Sequence, residues 1–565
     1  MSPLRRIVAL AVTLALSAAL LAGTPAFSAD PPKNATWTEH YFSSGDGLTD
    51  LHADVLRPKG IPAKKKTPVI LTVSPYLNHA GETTGYDRTA SGPSSRFYDF
   101  LDLSRILDRG YTYVMVDLPG FGGSGGCNDW GGVREQEAVK AAVEWAASRP
   151  WSNGRVGMMG KSYDAWTGLM GIAQRPKGLE AVVAMEPVYS GYRYLYNNGV
   201  RFLNSAATGA GFQVYDAKPG TPQDDPMYNI NGAPQAYCYP LNYGLQQQDE
   251  ENSAFWRERD LARHTKKAKT PLFLTQGFLE TNTKPDGAFD FFNNLRGPNR
   301  AWYGQFDHVR GWERESAAGR YQTGRDVFVN EMMRFFDRHV KGVARKKAPV
   351  HRDPNIAVQD ALGRYRAERV WPPSDSKLHW SKLKKGSYQD DGMNRGSGTS
   401  GGRGIWSFSQ PLRHDAWLAG EPVLDVHLTA VPRANLVGNV YDVSPKGKAT
   451  LVSRGAYLLR GAGQQKVKFE LYGQDWPIEK GHRIGVLLSA ANAEWWVHVP
   501  TQSPVTVDSA RVGLPFLRYD RNRFLKGSST PRLEQHFRDT FVTVGKTTIK
   551  GNDGSFNLPG KLRKR

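Results

Sequence analysis

Arg155-Val156-Gly157-Met158-Met159-Gly160-Lys161-Ser162-Tyr163-Asp164-Ala165-Trp166 reads as a short apolar strand ending at a glycine, a turn with a serine at its tip, and the opening of a helix that continues to about residue 172. A strand-turn-helix of this kind lifts a serine hydroxyl above the sheet and over a helix N-terminus. Two other segments match G-x-S-x-G more literally, Gly122-Gly123-Ser124-Gly125-Gly126 and Gly398-Thr399-Ser400-Gly401-Gly402. Neither has an apolar strand running directly into it. Ser124 sits in a glycine loop suited to shaping a wall. Ser400 lies in a low-complexity stretch, 392–404, where composition alone produces the pattern. Ser162 is therefore the candidate nucleophile, although Asp164 stands where the second glycine should be.

Outward from this segment the pattern is one of alternating strands and helices. Continuous apolar runs at 68–73, 113–116 and 181–185 suit strands buried on both faces. Helical stretches at 97–109 and 135–148 separate them. Residues 187–268, rich in Tyr, Asn, Gln and Gly, interrupt the rhythm as an inserted cap. It then resumes with strands at 271–276 and 301–304 and helices at 286–295 and 325–340. This is an α/β domain with a mostly parallel sheet. From about residue 350 the period becomes 2, as in Val423, Asp425, His427 and Thr429 against Leu424, Val426 and Leu428. The final 200 or so residues are expected to be an all-β sandwich or jelly roll. The expected division is a signal peptide at 1–29, a catalytic domain at 30–349 and a β domain at 350–565.

With 565 residues the chain exceeds one core. Arg5 and Arg6, the apolar stretch 7–21 and small residues at 22–29 read as a secretory signal, so export is expected. No other window is long and apolar enough to span a bilayer, so integral membrane association is not expected. The net charge of +20 is spread in short basic runs without a nucleic-acid fold signature, which argues against nucleic acid as a partner. It suits a solvated basic surface able to touch anionic cell-wall polymers. Cys127 and Cys238, the only cysteines, permit one disulfide in an oxidising compartment. No Cys/His cluster has metal-ligand spacing along the chain, so no metal and no cofactor are expected. Oligomeric state is not legible.

A serine nucleophile needs a base and an acid that orients it, in the order Ser, acid, His on strand-end loops. The strand at 271–276 runs into Gly277-Phe278-Leu279-Glu280, and that at 301–304 into Gln305-Phe306-Asp307-His308. Glu280 and His308 stand where that order requires. Asp307 adjoins His308, so its side chain should diverge from the ring. The backbone N–H of Tyr163 is one oxyanion donor by geometry. The second should come from Ser74-Pro75-Tyr76; Pro75 has no N–H to give, so a side chain such as the Tyr76 hydroxyl is attractive.

Together these residues resemble the family of Xaa-Pro dipeptidyl-peptidases, bacterial cocaine esterase and α-amino-acid ester hydrolases. Its nucleophile motif G-x-S-Y-x-G is read here as Gly160-Lys161-Ser162-Tyr163-Asp164-Ala165, with Ala165 in place of the glycine. The stretch 117–126 resembles its D-x-R-G-x-G-x-S-x-G loop, with Pro119 for Arg. Residues 277–282 match G-x-x-D-x-N, with Glu280 for Asp. Tyr76 falls where the family uses a tyrosine hydroxyl in the oxyanion hole. The resemblance implies an α/β-hydrolase domain with a helical cap and a C-terminal jelly roll closing over the cleft. Three readings stay open: a dipeptidyl-peptidase acting on peptides, an esterase or amidase acting on small acyl substrates, and a non-enzymatic cell-wall binder. An aminopeptidase-like member needs carboxylates for the substrate ammonium. Glu186 is the first candidate, with Asp216 and Glu250 as others, and Trp166 is a candidate substrate contact.

Overall fold

The computed structural model describes residues 30–80, 92–206, 208, 211–212, 220–231 and 238–564. Residues 1–29, on which the signal-peptide expectation rests, lie outside the described residues, as does Asp216.

Ten strands form one sheet. β1 (Ala35–Ser43), β2 (Asp50–Pro58), β3 (Thr67–Ser74), β4 (Thr112–Asp117), β5 (Ser152–Lys161) and β6 (Leu179–Met185) precede the insertion. The two-residue strands β7 (Tyr196–Asn197) and β8 (Val200–Arg201) form a small ribbon within it. β9 (Leu272–Gly277), β10 (Arg300–Gly304), β11 (Ile356–Gln359) and β12 (Tyr365–Glu368) complete the sheet. The order is β1-β2-β4-β3-β5-β6-β9-β10-β11-β12. From β4 to β11 neighbouring strands are parallel, while β1, β2 and β12 are antiparallel edges. The helices α1 (Tyr98–Ser104), α2 (Val133–Ser148), α3 (Tyr163–Gln174), α4 (Ala288–Asn294) and α5 (Phe328–His339) cover its two faces. One apolar core holds Val69, Leu71 and Val73 with Ala138, Trp166 and Leu169. The other holds Ile70, Met159, Phe273, Trp302 and Phe336. Burial on both faces explains why these strands read as unbroken apolar runs rather than as alternation.

β11 and β12 correct one expectation. The β domain does not start at residue 350, because Ile356–Val358 pair with Ala301–Tyr303 and finish the hydrolase sheet. The sandwich starts at Ser376–Leu383. One of its sheets has seven strands, centred on Pro504–Leu517, and the other five, centred on Asn435–Val443 and Arg483–Ser489. All pair antiparallel, around a core that includes Leu424, Leu436, Trp476 and Val512. The period-2 segment at 423–429 forms one of these strands.

The two halves are riveted together. Arg366 on β12 makes a buried two-pronged pair with Asp475 of the sandwich at 2.8 and 2.7 Å, and Trp371 and Trp417 donate to the same carboxylate. Between β6 and β9 the chain forms the cap, built of short helices such as Gly191–Leu195 and Ala254–Glu258. It leans on the sandwich through Asn198 and Asn197, which bond the backbone of Ala456. Cys127 is disulfide-bonded; the side chain of Cys238 lies outside the described residues.

Candidate active site

Parallel strands place all their C-terminal ends on one edge. On that edge stand Tyr76 after β3, Ser162 after β5, Glu186 after β6, Glu280 after β9 and His308 after β10. Ser162 has φ +66°, a region that costs a non-glycine residue about 1–3 kcal/mol. The surrounding fold imposes it: the Ser162 N–H donates to the Met185 carbonyl, and its own carbonyl accepts from Ala165 and Trp166 as α3 begins. The turn also needs Gly160, since a Cβ there would fall 2.3 Å from Asp164 Cβ. Ser162 itself is half-buried.

Asp164, the residue that breaks the literal motif, has a task of its own. Its carboxylate takes two bonds from Arg96, at 3.0 and 2.9 Å. The Arg96 guanidinium in turn lies over the Tyr76 ring, 4.2 Å from its centre. The elbow and the Tyr76 loop are thereby joined through one buried ion pair.

Glu280 and His308 are brought together, with Nδ1 3.3 Å from Oε2. Glu280 is sealed from solvent while His308 keeps 17% of its side chain exposed. Burial alone would raise the Glu280 carboxyl. The His308 imidazole and hydrogen bonds from Thr283 and Asn282 outweigh it and hold the group below the usual carboxylate range. Asp307 turns away, as expected, and accepts from the backbone and hydroxyl of Thr281 and from the His308 N–H. Lys161 Nζ donates to the His308 carbonyl at 3.3 Å, linking the His308 loop to the Ser162 turn. No hydrogen bond joins the Ser162 hydroxyl to His308 among the described residues; such contacts commonly close only with substrate present.

As the first residue of α3, Tyr163 has an N–H with no intrahelical acceptor. Its side chain is buried and donates to Glu135 at 2.7 Å. Glu135 also accepts from the backbone of Asp129 and Gly131. Burial, then the Asp129 charge, push its carboxyl up to about 7. Phe212 packs on the buried rings of Tyr163 and Trp130, with ring centres 5.1 and 5.3 Å away.

Two expected substrate contacts are corrected. Glu186 is fully buried, and its carboxyl accepts from Thr275, Gln276 and Gly277. Burial, and then the charge of Glu280, push it well above the ordinary range; with both oxygens taken up by β9 it braces β6 against β9 and presents nothing to a substrate ammonium. Trp166 is also fully buried, packed edge-on against Trp130, beneath the site rather than in it. Glu250 is exposed and pairs with Arg460. Ser124 is buried, donating to the Asp117 carbonyl and accepting from the His52 N–H; Ser400 is exposed on the sandwich.

Sequence reading missed Arg96, Glu135 and Lys284. The first two are ordinary charges until the fold pairs them. Lys284 is buried, its side-chain nitrogen over the rings of Tyr194 and Phe202 and bonded to the Tyr194 carbonyl, which ties the Glu280 loop to the cap. Spacing along the chain also hid a cluster of potential metal ligands, Glu39, His52, Asp54 and His79, whose ligand atoms lie within 4.8 Å of one another.

The X-Pro dipeptidyl-peptidase (S15 family) model matches residues 46–310, and that of the X-Pro dipeptidyl-peptidase C-terminal non-catalytic domain matches 242–533. The chain belongs to the S15 family. It is a serine hydrolase of that family, with an α/β-hydrolase domain and an all-β C-terminal domain. A Streptomyces avermitilis relative named for the Xaa-Pro dipeptidyl-peptidases is 26% identical over 405 residues, covering 66% of this chain and 56% of that protein. The Xaa-Pro dipeptidyl-peptidase of Lacticaseibacillus casei is 23% identical over 322 residues, 46% of this chain and 40% of that protein. The chain thus spans about half the length of these relatives. A CocE/NonD family hydrolase of Staphylococcus aureus shares the fold, with a TM-score of 0.63 at 14% identity over 86% of this chain and 93% of its own. No helix among the described residues is long and apolar enough to cross a membrane.

Proposed function

We propose that this S15-family hydrolase releases Xaa-Pro dipeptides from peptide N-termini through a Ser162-Glu280-His308 triad, and that it acts after export from the cell. The observation that carries the reading is the strained, half-open Ser162 turn on the same sheet edge as the Glu280–His308 contact. In this mechanism the Ser162 hydroxyl attacks the scissile carbonyl while His308 takes its proton through Nε2. Glu280 holds Nδ1–H, fixing the tautomer and favouring the imidazolium that forms. The Tyr163 N–H and the Tyr76 hydroxyl receive the oxyanion. His308 then protonates the leaving amine, and water repeats the sequence on the acyl-enzyme. The half-buried Phe212, backed by the buried rings of Trp130 and Tyr163, supplies an apolar surface suited to an acyl portion such as a prolyl ring.

A second reading, an esterase of small acyl groups, is favoured by the burial of Glu186, which leaves the substrate ammonium without that carboxylate. Rates on Ala-Pro-p-nitroanilide, its N-blocked analogue and aryl esters decide between them. The peptidase reading requires a free amine and fails if the blocked substrate or the esters react better. A fluorophosphonate probe tests the nucleophile: equal labelling of wild type and Ser162→Ala would remove Ser162 from the mechanism. Export is tested by fractionating a culture; activity confined to the cytoplasm refutes it.

A further inference from the structure

At the opposite side of the sheet from β9 and β10, three segments converge on one point. In the β1–β2 register Glu39 lies across from Asp54, and His52 precedes Asp54 by two residues, so all three share a face of the pleat. His79 reaches the same point from the loop that follows β3, three residues past Tyr76. His52 Nε2 is 3.3 Å from Glu39 Oε1 and 3.9 Å from Asp54 Oδ1, and His79 Nε2 is 3.0 Å from Asp54 Oδ2. We propose that Glu39, His52, Asp54 and His79 bind a single divalent transition-metal ion of the zinc type, which clamps the β1–β2 edge to the Tyr76 loop and the cap.

Two independent features support the site. The first is spacing. Ligands about 2.0–2.2 Å from a tetrahedral zinc stand roughly 3.3–3.5 Å from one another; the three contacts above, at 3.0–3.9 Å, lie around that range, and all four ligand atoms fall within 4.8 Å, so the cluster needs only a small contraction to close on an ion. The second is the surrounding shell. Each imidazole is held at Nδ1 by a separate carboxylate, His52 by Asp117 at 2.9 Å and His79 by Asp224 of the cap at 2.8 Å. The Trp37 indole N–H fixes Asp54 at 2.7 Å. A carboxylate behind each histidine is the arrangement that orients an imidazole lone pair toward a metal. With Nδ1–H donated outward, each Nε2 lone pair faces a carboxylate oxygen, so positive charge must stand between them. One shared ion supplies it, and a proton on each ring is the alternative that the experiment separates. Two imidazoles select a zinc-like ion over the oxygen-preferring magnesium and calcium. His52, Asp54 and His79 are sealed while Glu39 is 25% exposed, which gives the ion a way in.

The test uses the full-length protein, stripped with a chelator, reloaded with Zn²⁺ or Co²⁺ and desalted. Elemental analysis should find about one ion per chain, and the cobalt form should show the intense visible absorption of a tetrahedral site. His79→Asn should lose both. Glu39→Gln alters the ligand nearest solvent and so least threatens folding; its zinc affinity should fall by at least about 10-fold. Wild type that retains no ion, or Glu39→Gln with unchanged affinity, overturns the proposal. Nitrogen-15 spectra with both ring nitrogens of His52 and His79 protonated in zinc-treated protein overturn it as well, in favour of an ion-pair cluster. Fluorophosphonate labelling at Ser162 is read in parallel, so failure of the metal site and failure of the triad remain distinct.

Discussion

Ser162 and Ser124 stand at the same edge of the same sheet, in loops that leave β5 and β4, and the fold treats them in opposite ways. Ser124 meets the literal motif and is consumed by structure. Its hydroxyl joins the Asp117 carbonyl to the His52 amide, and no part of it reaches solvent. Gly122, at φ +53° with no room for a Cβ beside Asp117, bends the loop inward. Ser162 fails the literal motif, yet sits half-open on a strained turn at the start of α3. The difference teaches that glycines around a serine report chain flexibility, whereas strand-to-helix context reports where the hydroxyl points.

Substitutions can break or sharpen this contrast. Ser162→Ala should lower kcat by on the order of 10⁶-fold while thermal unfolding stays near wild type; retained turnover would collapse the contrast. Glu280→Gln should lower kcat roughly 10⁴-fold, because an amide NH₂ cannot accept the Nδ1 proton of His308; circular dichroism should show the fold intact. Tyr76→Phe should cost about 3 kcal/mol of transition-state stabilisation, read as a fall in kcat with little change in KM. An unaltered kcat would reassign the second oxyanion donor.

Glu135, which braces the elbow through the Tyr163 hydroxyl, predicts a pH signature. Its folded carboxyl is raised to about 7 from 4.5, so between those values the native state binds more protons than the unfolded one. Its contribution is full below pH 4.5 and is lost as pH rises through 7, by about 3 kcal/mol at most. Glu135→Gln should flatten that slope in urea unfolding. Ser124→Ala should cost about 1–3 kcal/mol of stability by leaving two buried backbone groups unpaired, with fluorophosphonate labelling retained. Loss of labelling without loss of stability would make Ser124, not Ser162, the reacting serine.

Much of the fold was legible because its signals are local. Apolar runs long enough to be covered on both faces marked the central strands, and period-2 stretches marked the sandwich. The boundary expected at 350 falls in the wrong place because β11 and β12 carry no mark of which sheet they join; only pairing with Ala301–Tyr303 decides it. Candidate site residues followed from order along the chain, whereas the substrate contacts did not. Glu186 and Trp166 have suitable chemistry in suitable places, but burial depends on what packs above them.

Sequence by itself therefore determined the hydrolase architecture, the strand-to-helix turn that carries Ser162, and the loops that carry Glu280 and His308, since each rests on neighbours in the chain and on the shared edge of parallel strands. Tertiary structure alone decided that Asp164 serves Arg96 and Tyr76, that Glu186 is a buried brace, and that Glu39, His52, Asp54 and His79 converge. Those outcomes rest on desolvation and on contacts between segments far apart in sequence, and neither is written in local pattern.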